Sequence, residues 1–302
     1  MQNKNNWFPH AMALYNVLVW GTTFISTKVL LDSFSPLEIL IYRFLVGYIA
    51  LWCLKPQWLK WQGLKKEVWY LIAGLSGVTI YFLGENISLT MTYTGNVSII
   101  VSTAPLFTAI FASLFAKTER PTKYFWGGFI LAIMGIVIIN IGGTQIDKAH
   151  LTGDLLALGA AAVWGIYSVV LKEYVGEQQS VIVRTRRIFL YGLLTMMPCI
   201  LLMKPDFHPE RIWQPLNVGN LLFLGILATA AAYATWNYAV ARLGVMKSSV
   251  YIYLIPVVTI ICSAVILNEK ITPGKIIGCV LTMFGLILSE KRQSRLFENL
   301  CK

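Results

Sequence analysis

The chain has 302 residues, of which 57% are hydrophobic and only 13% charged, and its formal net charge is +11. Soluble domains carry about 25% charged residues, so this composition excludes an ordinary water-soluble protein. The basic excess lies in short loops between apolar runs, where it reads as a topology signal and not as a nucleic-acid-binding face.

The apolar runs are long enough to cross a bilayer as helices, which takes about 17–25 residues. Ten spans are expected, at about 11–31, 36–54, 68–91, 96–116, 124–141, 153–172, 181–203, 217–241, 247–268 and 273–290. The fold class is an all-α membrane protein. The first run is too long for a signal-peptide core and lacks a small-residue cleavage site, so it is expected to remain as the first helix. Segments 1–10 and 291–302 are then tails. The connections are short and polar, which makes sequential helices antiparallel neighbours.

The first span contains "WGTTFISTK" from Trp20 to Lys28, and the sixth contains "WGIYSVVLK" from Trp164 to Lys172. At this offset of 144, Arg43 of the second span matches Arg187 of the seventh. At an offset of 151, Asn86, Ser98, Pro105, Thr108 and Gly127 match Asn237, Ser249, Pro256, Thr259 and Gly278. The longer loop near 204–216 absorbs the difference. The chain therefore reads as one five-helix unit used twice, at 11–141 and 153–290. Five is odd, so the second copy enters the membrane from the opposite side. Inverted repeats suit a carrier that alternates between two faces around a site near the midplane.

Lys and Arg in the loops and at the span ends gather on one side, with Lys55, Lys60, Lys65, Lys66, Arg184 and Arg186 among them. The opposite side holds Lys148, Lys204, Arg211, Lys270 and Lys275. The positive-inside rule then places both tails in the cytoplasm, with the chain in the cell (inner) membrane.

These residues give the chain a family likeness. It resembles the EamA-type ten-helix branch of the drug/metabolite transporter (DMT) superfamily. The likeness rests on Trp20-Gly21 and its repeat, on Arg43-Phe44, and on "STAP" with Pro105 followed by Glu119. It rests also on "YLIP" with Pro256 followed by Glu269, and on the glycines 274, 278 and 285 of the last span. It covers about residues 10–290. The resemblance implies a secondary transporter, often exporting amino acids or other small metabolites. It also implies a central cavity formed by helices 1–4 and 6–9, with helices 5 and 10 as outer supports. Organic anions stay among the candidate solutes, because triose-phosphate and nucleotide-sugar carriers share the architecture.

Charges within a span cost about 2.5–3.5 kcal/mol on insertion scales, so they face a partner or a wet cavity. That singles out Arg43, Glu85 and Arg187. Arg43 lies seven residues from one end of its span and Glu85 six from the same face, so both are about 10 Å deep and are expected to meet as an ion pair. Competition for Glu85 by a substrate amine or a proton would make that pair a switch. Arg187 is expected either to attract an anionic group, since arginine suits bidentate carboxylate or phosphate binding, or to belong with Arg184 and Arg186 to a topology-setting basic cluster. The remaining cavity candidates are Trp20, Tyr81, Asn86, Trp164, Tyr167, Tyr233, Trp236, Asn237 and Tyr251, an aromatic lining with a few polar groups that suits an amphipathic solute. Each aromatic could equally be packed core. Pro105 and Pro256 are expected near the middle of their helices, as permanent bends or as hinges. Glu119 and Glu269 are expected to pair with local bases or to favour the N-terminus of the next helix.

No cluster of His, Asp or Cys suggests an enzyme or a metal site, and the five cysteines form no CxxC pair. No GxxxxGK[ST] loop is present, so direct coupling to ATP is not expected. No cofactor is implied. The expected partners are a small-molecule solute and the lipid bilayer, with proton coupling and oligomeric state open. A membrane enzyme and a non-transporting scaffold are the readings of a different class.

Overall fold

A computed structural model describes residues 7–115, 122–141, 148–176, 180–243 and 251–290. Glu119 and the segment 244–250 lie outside these, as do both tails. Ten helical spans run through the described residues. They are α1 (Trp7–Leu30), α2 (Pro36–Leu54), α3 (Leu64–Met91), α4 (Thr94–Phe115), α5 (Lys123–Ile141) and α6 (Lys148–Val175). Then follow α7 (Val181–Met203), α8 (Pro215–Leu222 continuing through Phe223–Ala231 and Ala232–Leu243), α9 (Ile255–Ile266) and α10 (Pro273–Glu290). Five of them, α2, α3, α4, α6 and α7, are long and apolar enough to cross a membrane, and shorter apolar helices accompany them. Helices are the natural solution there, because each satisfies its own backbone polar groups without water.

The face where α1 begins and α10 ends is called here the terminal face; the loops near 31–35, 92–93, 204–214 and 267–272 lie on the far face. Lys60 and Lys148 fall on opposite faces. The two halves are joined by exchanged contacts. In α3, Gly74 lies against the backbone of Ile188 and Gly192 in α7. The related contact sets Gly225 of α8 against Val46 and the Arg43 carbonyl of α2. Helices α5 and α10 run antiparallel, with Gly128 against Gly285 and Gly135 against Gly278. These four glycines are related by an offset of 150, so each pair is the mirror of the other about a pseudo-two-fold axis. A Cβ at any of them would strike backbone, which is why small residues are needed for so close a crossing. Gly127, the residue matched to Gly278 by motif alignment, meets nothing within 4 Å, and the true counterpart is Gly128.

Two departures from regular α-helix were not foreseen. The centres of α3 and α8 contain π-helical segments, Leu75–Ile80 and Phe223–Ala231, at positions related by the repeat, and α6 ends in a third, Val170–Val175. Such π segments are uncommon and recur at functional sites. The other departure concerns the prolines. The helix α4 breaks at the turn Ser102–Thr103, and its second part, Ala104–Phe115, starts beside Pro105. Pro256 occupies the first turn of α9 after a turn at Tyr253–Leu254. Neither proline is the mid-helix kink expected from sequence. Each starts a helix, where its missing N–H leaves no bond unmade.

Candidate functional site

A concentration of buried polar and aromatic groups lies where α2, α3, α6, α7 and α8 meet. Arg43 is 5% exposed and Glu85 2% exposed. The arginine is carried by α2, whose start is fixed by a capping box: Ser35 accepts from the Glu38 amide and Glu38 from the Ser35 amide. Its Nε donates to Thr229 Oγ1 at 3.1 Å, and the Thr229 hydroxyl in turn donates to the Leu224 carbonyl at 2.7 Å. That second bond spans five residues, a π-turn spacing, so the π segment of α8 is what delivers Thr229 to Arg43. The Arg43 guanidinium also lies 4.4 Å from the centroid of Phe82, in cation–π range.

Glu85 sits one turn beyond Tyr81 on α3 and is hydrogen-bonded to the Tyr81 hydroxyl. It is close enough to Arg43 for direct electrostatic attraction. The expected ion pair is nonetheless not formed: none of the ion pairs among the described residues includes Arg43 or Glu85. The physical reason is competition. Thr229 and Phe82 hold the guanidinium, and Tyr81 holds the carboxylate.

The aromatic wall is continuous. Trp164 on α6 lies 4.6 Å from Tyr81 and 4.9 Å from Tyr167 between ring centroids. Tyr167 and Tyr233 are hydrogen-bonded through their side chains. Tyr233 meets Phe189 edge-on at 5.9 Å, and Phe189 meets Phe44 at 4.9 Å. Next to this group, Trp20 packs on Trp236 at 5.2 Å and donates its indole N–H to the Ala228 carbonyl, one residue from Thr229.

Of the candidates, Arg43, Tyr81, Glu85, Trp164, Tyr167 and Tyr233 thus share one site, with Trp20 and Trp236 at its edge. Three lie elsewhere. Asn86 donates to the Pro36 carbonyl at the start of α2. Tyr251 shares a 2.6 Å hydrogen bond with His10 toward the terminal face. Arg187, 2% exposed, pairs with Glu67, donates to the Lys60 carbonyl and lies 5.1 Å from the Tyr70 ring. Glu67 also accepts the Tyr191 hydroxyl at 2.7 Å. The side chain of Asn237 lies outside the described ones. Sequence reasoning did not single out Thr229 or Phe82; the "ATAAAY" run around Thr229 carries no charge or motif to mark it.

The EamA-like transporter family matches residues 7–141 and again 151–290, nearly the entire chain and once per half. The chain belongs to that family. It is 29% identical over 296 residues to an uncharacterized transporter of Archaeoglobus fulgidus, covering 94% of this chain and 98% of that one. It is 25% identical over 277 residues to a probable terminal-alkyne amino-acid exporter of Streptantibioticus cattleyicolor, covering 91% of each. A solved crystal structure superposes with a TM-score of 0.63 at 19% identity over 93% of this chain and 96% of that one, a likeness of fold alone. The family and these relatives make the protein a multi-pass membrane transporter of the DMT superfamily and not an enzyme. Its partners are a small-molecule solute and membrane lipid.

Proposed function

We propose that this transporter exports an amino-acid-like amphipathic metabolite across the cell membrane by alternating access between its two halves. The observation that carries the reading is the Arg43–Glu85 arrangement: opposite charges, both buried, attracted to each other and yet held apart by separate neutral partners. A buried charge without its counter-ion is costly unless something occupies the gap during function. A zwitterion fits it, carboxylate toward Arg43 and ammonium toward Glu85, with its side chain against Trp164, Tyr167 and Tyr233. The amino-acid exporter among the relatives supports this solute class. The π turns and the helix breaks at Ser102–Thr103 and Tyr253–Leu254 supply places where the halves can flex. Both termini face the cytoplasm in this reading, from the distribution of Lys and Arg.

The experiment is counterflow of radiolabelled amino acids in proteoliposomes, with and without a proton gradient. Wild type should accumulate at least one apolar or aromatic amino acid, and Arg43→Gln should not. Accumulation of organic anions but of no zwitterion would replace the solute class with the anion alternative. Failure of every solute would remove the reading.

A further inference from the structure

On the far face, the first turn of α4 has no side chain of its own at the N-cap; Tyr93 occupies that position. The cap arrives from the other half. Glu269, in the loop after α9, accepts the Thr94 amide at 2.8 Å with Oε1 and the Gly95 amide at 3.4 Å with Oε2. Of the two expectations from sequence, pairing with a local base is met by Lys275, whereas the helix N-terminus that Glu269 caps is that of α4 and not of the helix that follows it. The carboxylate is aimed by backbone geometry: Asn268 adopts a left-handed φ of 55°, and the Glu269 amide donates back to the Ser263 carbonyl at 3.2 Å. Lys275 completes the arrangement, 3.6 Å from Oε2 and 4.1 Å above the Tyr93 ring. Both partners are nearly buried, with side chains 10% and 7% exposed.

A carboxylate at a helix N-terminus is stabilised by the free amides and the helix dipole, and its charge strengthens each hydrogen bond. Here the bond also crosses between halves. Immediately beneath it, Gly95 approaches Ile260 and Ser263 of α9. Directly beside it opens a cavity of about 350 Å³, lined by Lys28, Asp32, Tyr93, His150 and Glu269 among others. Glu269 thus closes the seam between α4 and α9 at the floor of a polar vestibule.

We propose that Glu269 is the far-face gate of the transport cycle, with Lys275 positioning it: the carboxylate releases α4 when the far face opens and recaptures it when that face closes. The inference rests on the alternating-access reading above. The test uses the full chain with its native cysteines replaced and one reporter introduced, Ser98→Cys. Ser98 is fully buried, one turn below the latch on the stripe that begins at Gly95. A membrane-impermeant maleimide is applied from the far face of oriented vesicles. Glu269→Gln should raise the labelling rate roughly tenfold, the population change that follows from ~1.4 kcal/mol of lost closure. Lys275→Met should raise it less, and it gives the same readout if Glu269→Gln does not reach the membrane. A second reporter, Ile188→Cys near the terminal face, separates gating from loosening of the whole fold. Its labelling from the terminal face should stay the same or slow. Equal labelling of Ser98→Cys in variants and wild type overturns the gate, and so does an equal rise at both reporters. Labelling requires no solute. Absent flux with an intact labelling difference therefore removes the solute reading alone, whereas normal flux with no difference removes the gate alone.

Discussion

Arg43 and Arg187 occupy matched positions in the two halves, and their surroundings are opposite. Arg187 is charge-paired: a carboxylate, a carbonyl and an aromatic face close around it near the terminal face, with Tyr191 holding the same carboxylate, and only its Nε is left without a hydrogen-bond partner. Nearby Arg186 likewise donates to the Lys55 and Gln57 carbonyls and lies over Trp52. These side chains clasp the α2–α3 loop. Arg43 has instead a hydroxyl, a ring and an acid that attracts it without forming an ion pair. A repeat thus preserves where an arginine sits along its helix while its partners diverge. Position 218, which matches Glu67, is Val, and the position matching Glu85 is Trp236. The ion-paired member has the form of a structural pin, and the one without an ion pair is the arginine that the proposed function assigns to the solute.

The largest effect should come from breaking the pin. Arg187→Gln leaves Glu67 buried without its counter-charge, which costs about 3–5 kcal/mol. Membrane abundance and thermal stability in detergent should both collapse, while any surviving protein keeps wild-type solute selectivity. Normal stability with altered selectivity would reverse the roles assigned to the two arginines. Arg43→Gln should do the converse: normal abundance and melting, with solute counterflow lowered by about ten- to a hundredfold, the loss expected when a charge-assisted bond worth ~1.5–3 kcal/mol disappears from the site. A variant that melts early but still transports would make Arg43 a second pin.

Thr229→Val tests how Arg43 is aimed. It keeps side-chain volume but removes the acceptor for Nε, so apparent solute affinity should fall roughly tenfold, about one hydrogen bond's worth of ~1.4 kcal/mol. Thr79→Val in the π segment of α3, where the hydroxyl bonds the Gly192 carbonyl and Thr195, should leave affinity unchanged and is the matched control. The smallest effect is reserved for Glu85→Gln. Maximal flux should change only a few-fold, but its dependence on pH, or the recognition of a solute ammonium, should vanish. Wild-type pH dependence and selectivity in that variant would return Glu85 to a purely structural role.

The pattern of charge against hydropathy already located Arg43 and Glu85, because an ionisable residue inside an apolar run stands out whatever the fold. It could not show that Arg187 would be neutralised, since Glu67 lies 120 residues away on another helix, just at the edge of its expected span. Thr229 was invisible for a different reason: a threonine among alanines gains meaning only when a π turn rotates it toward a guanidinium. Glu269 was legible as a helix-end acid, but the helix it caps belongs to the other half.

By itself the sequence determined the membrane class, the ten spans and their duplication, because hydropathy over some twenty residues and repeated motifs are properties of the chain taken in order. Tertiary structure alone decided which charges are paired, where the helices break and which end of which helix receives Glu269. Those outcomes depend on side chains distant in sequence coming within hydrogen-bond range, and such distances have no signature along the chain. The inverted repeat sets α2 against α8 and α3 against α7, while α5 meets its own counterpart α10, and matched residues such as Arg43 and Arg187 keep the same address with different neighbours.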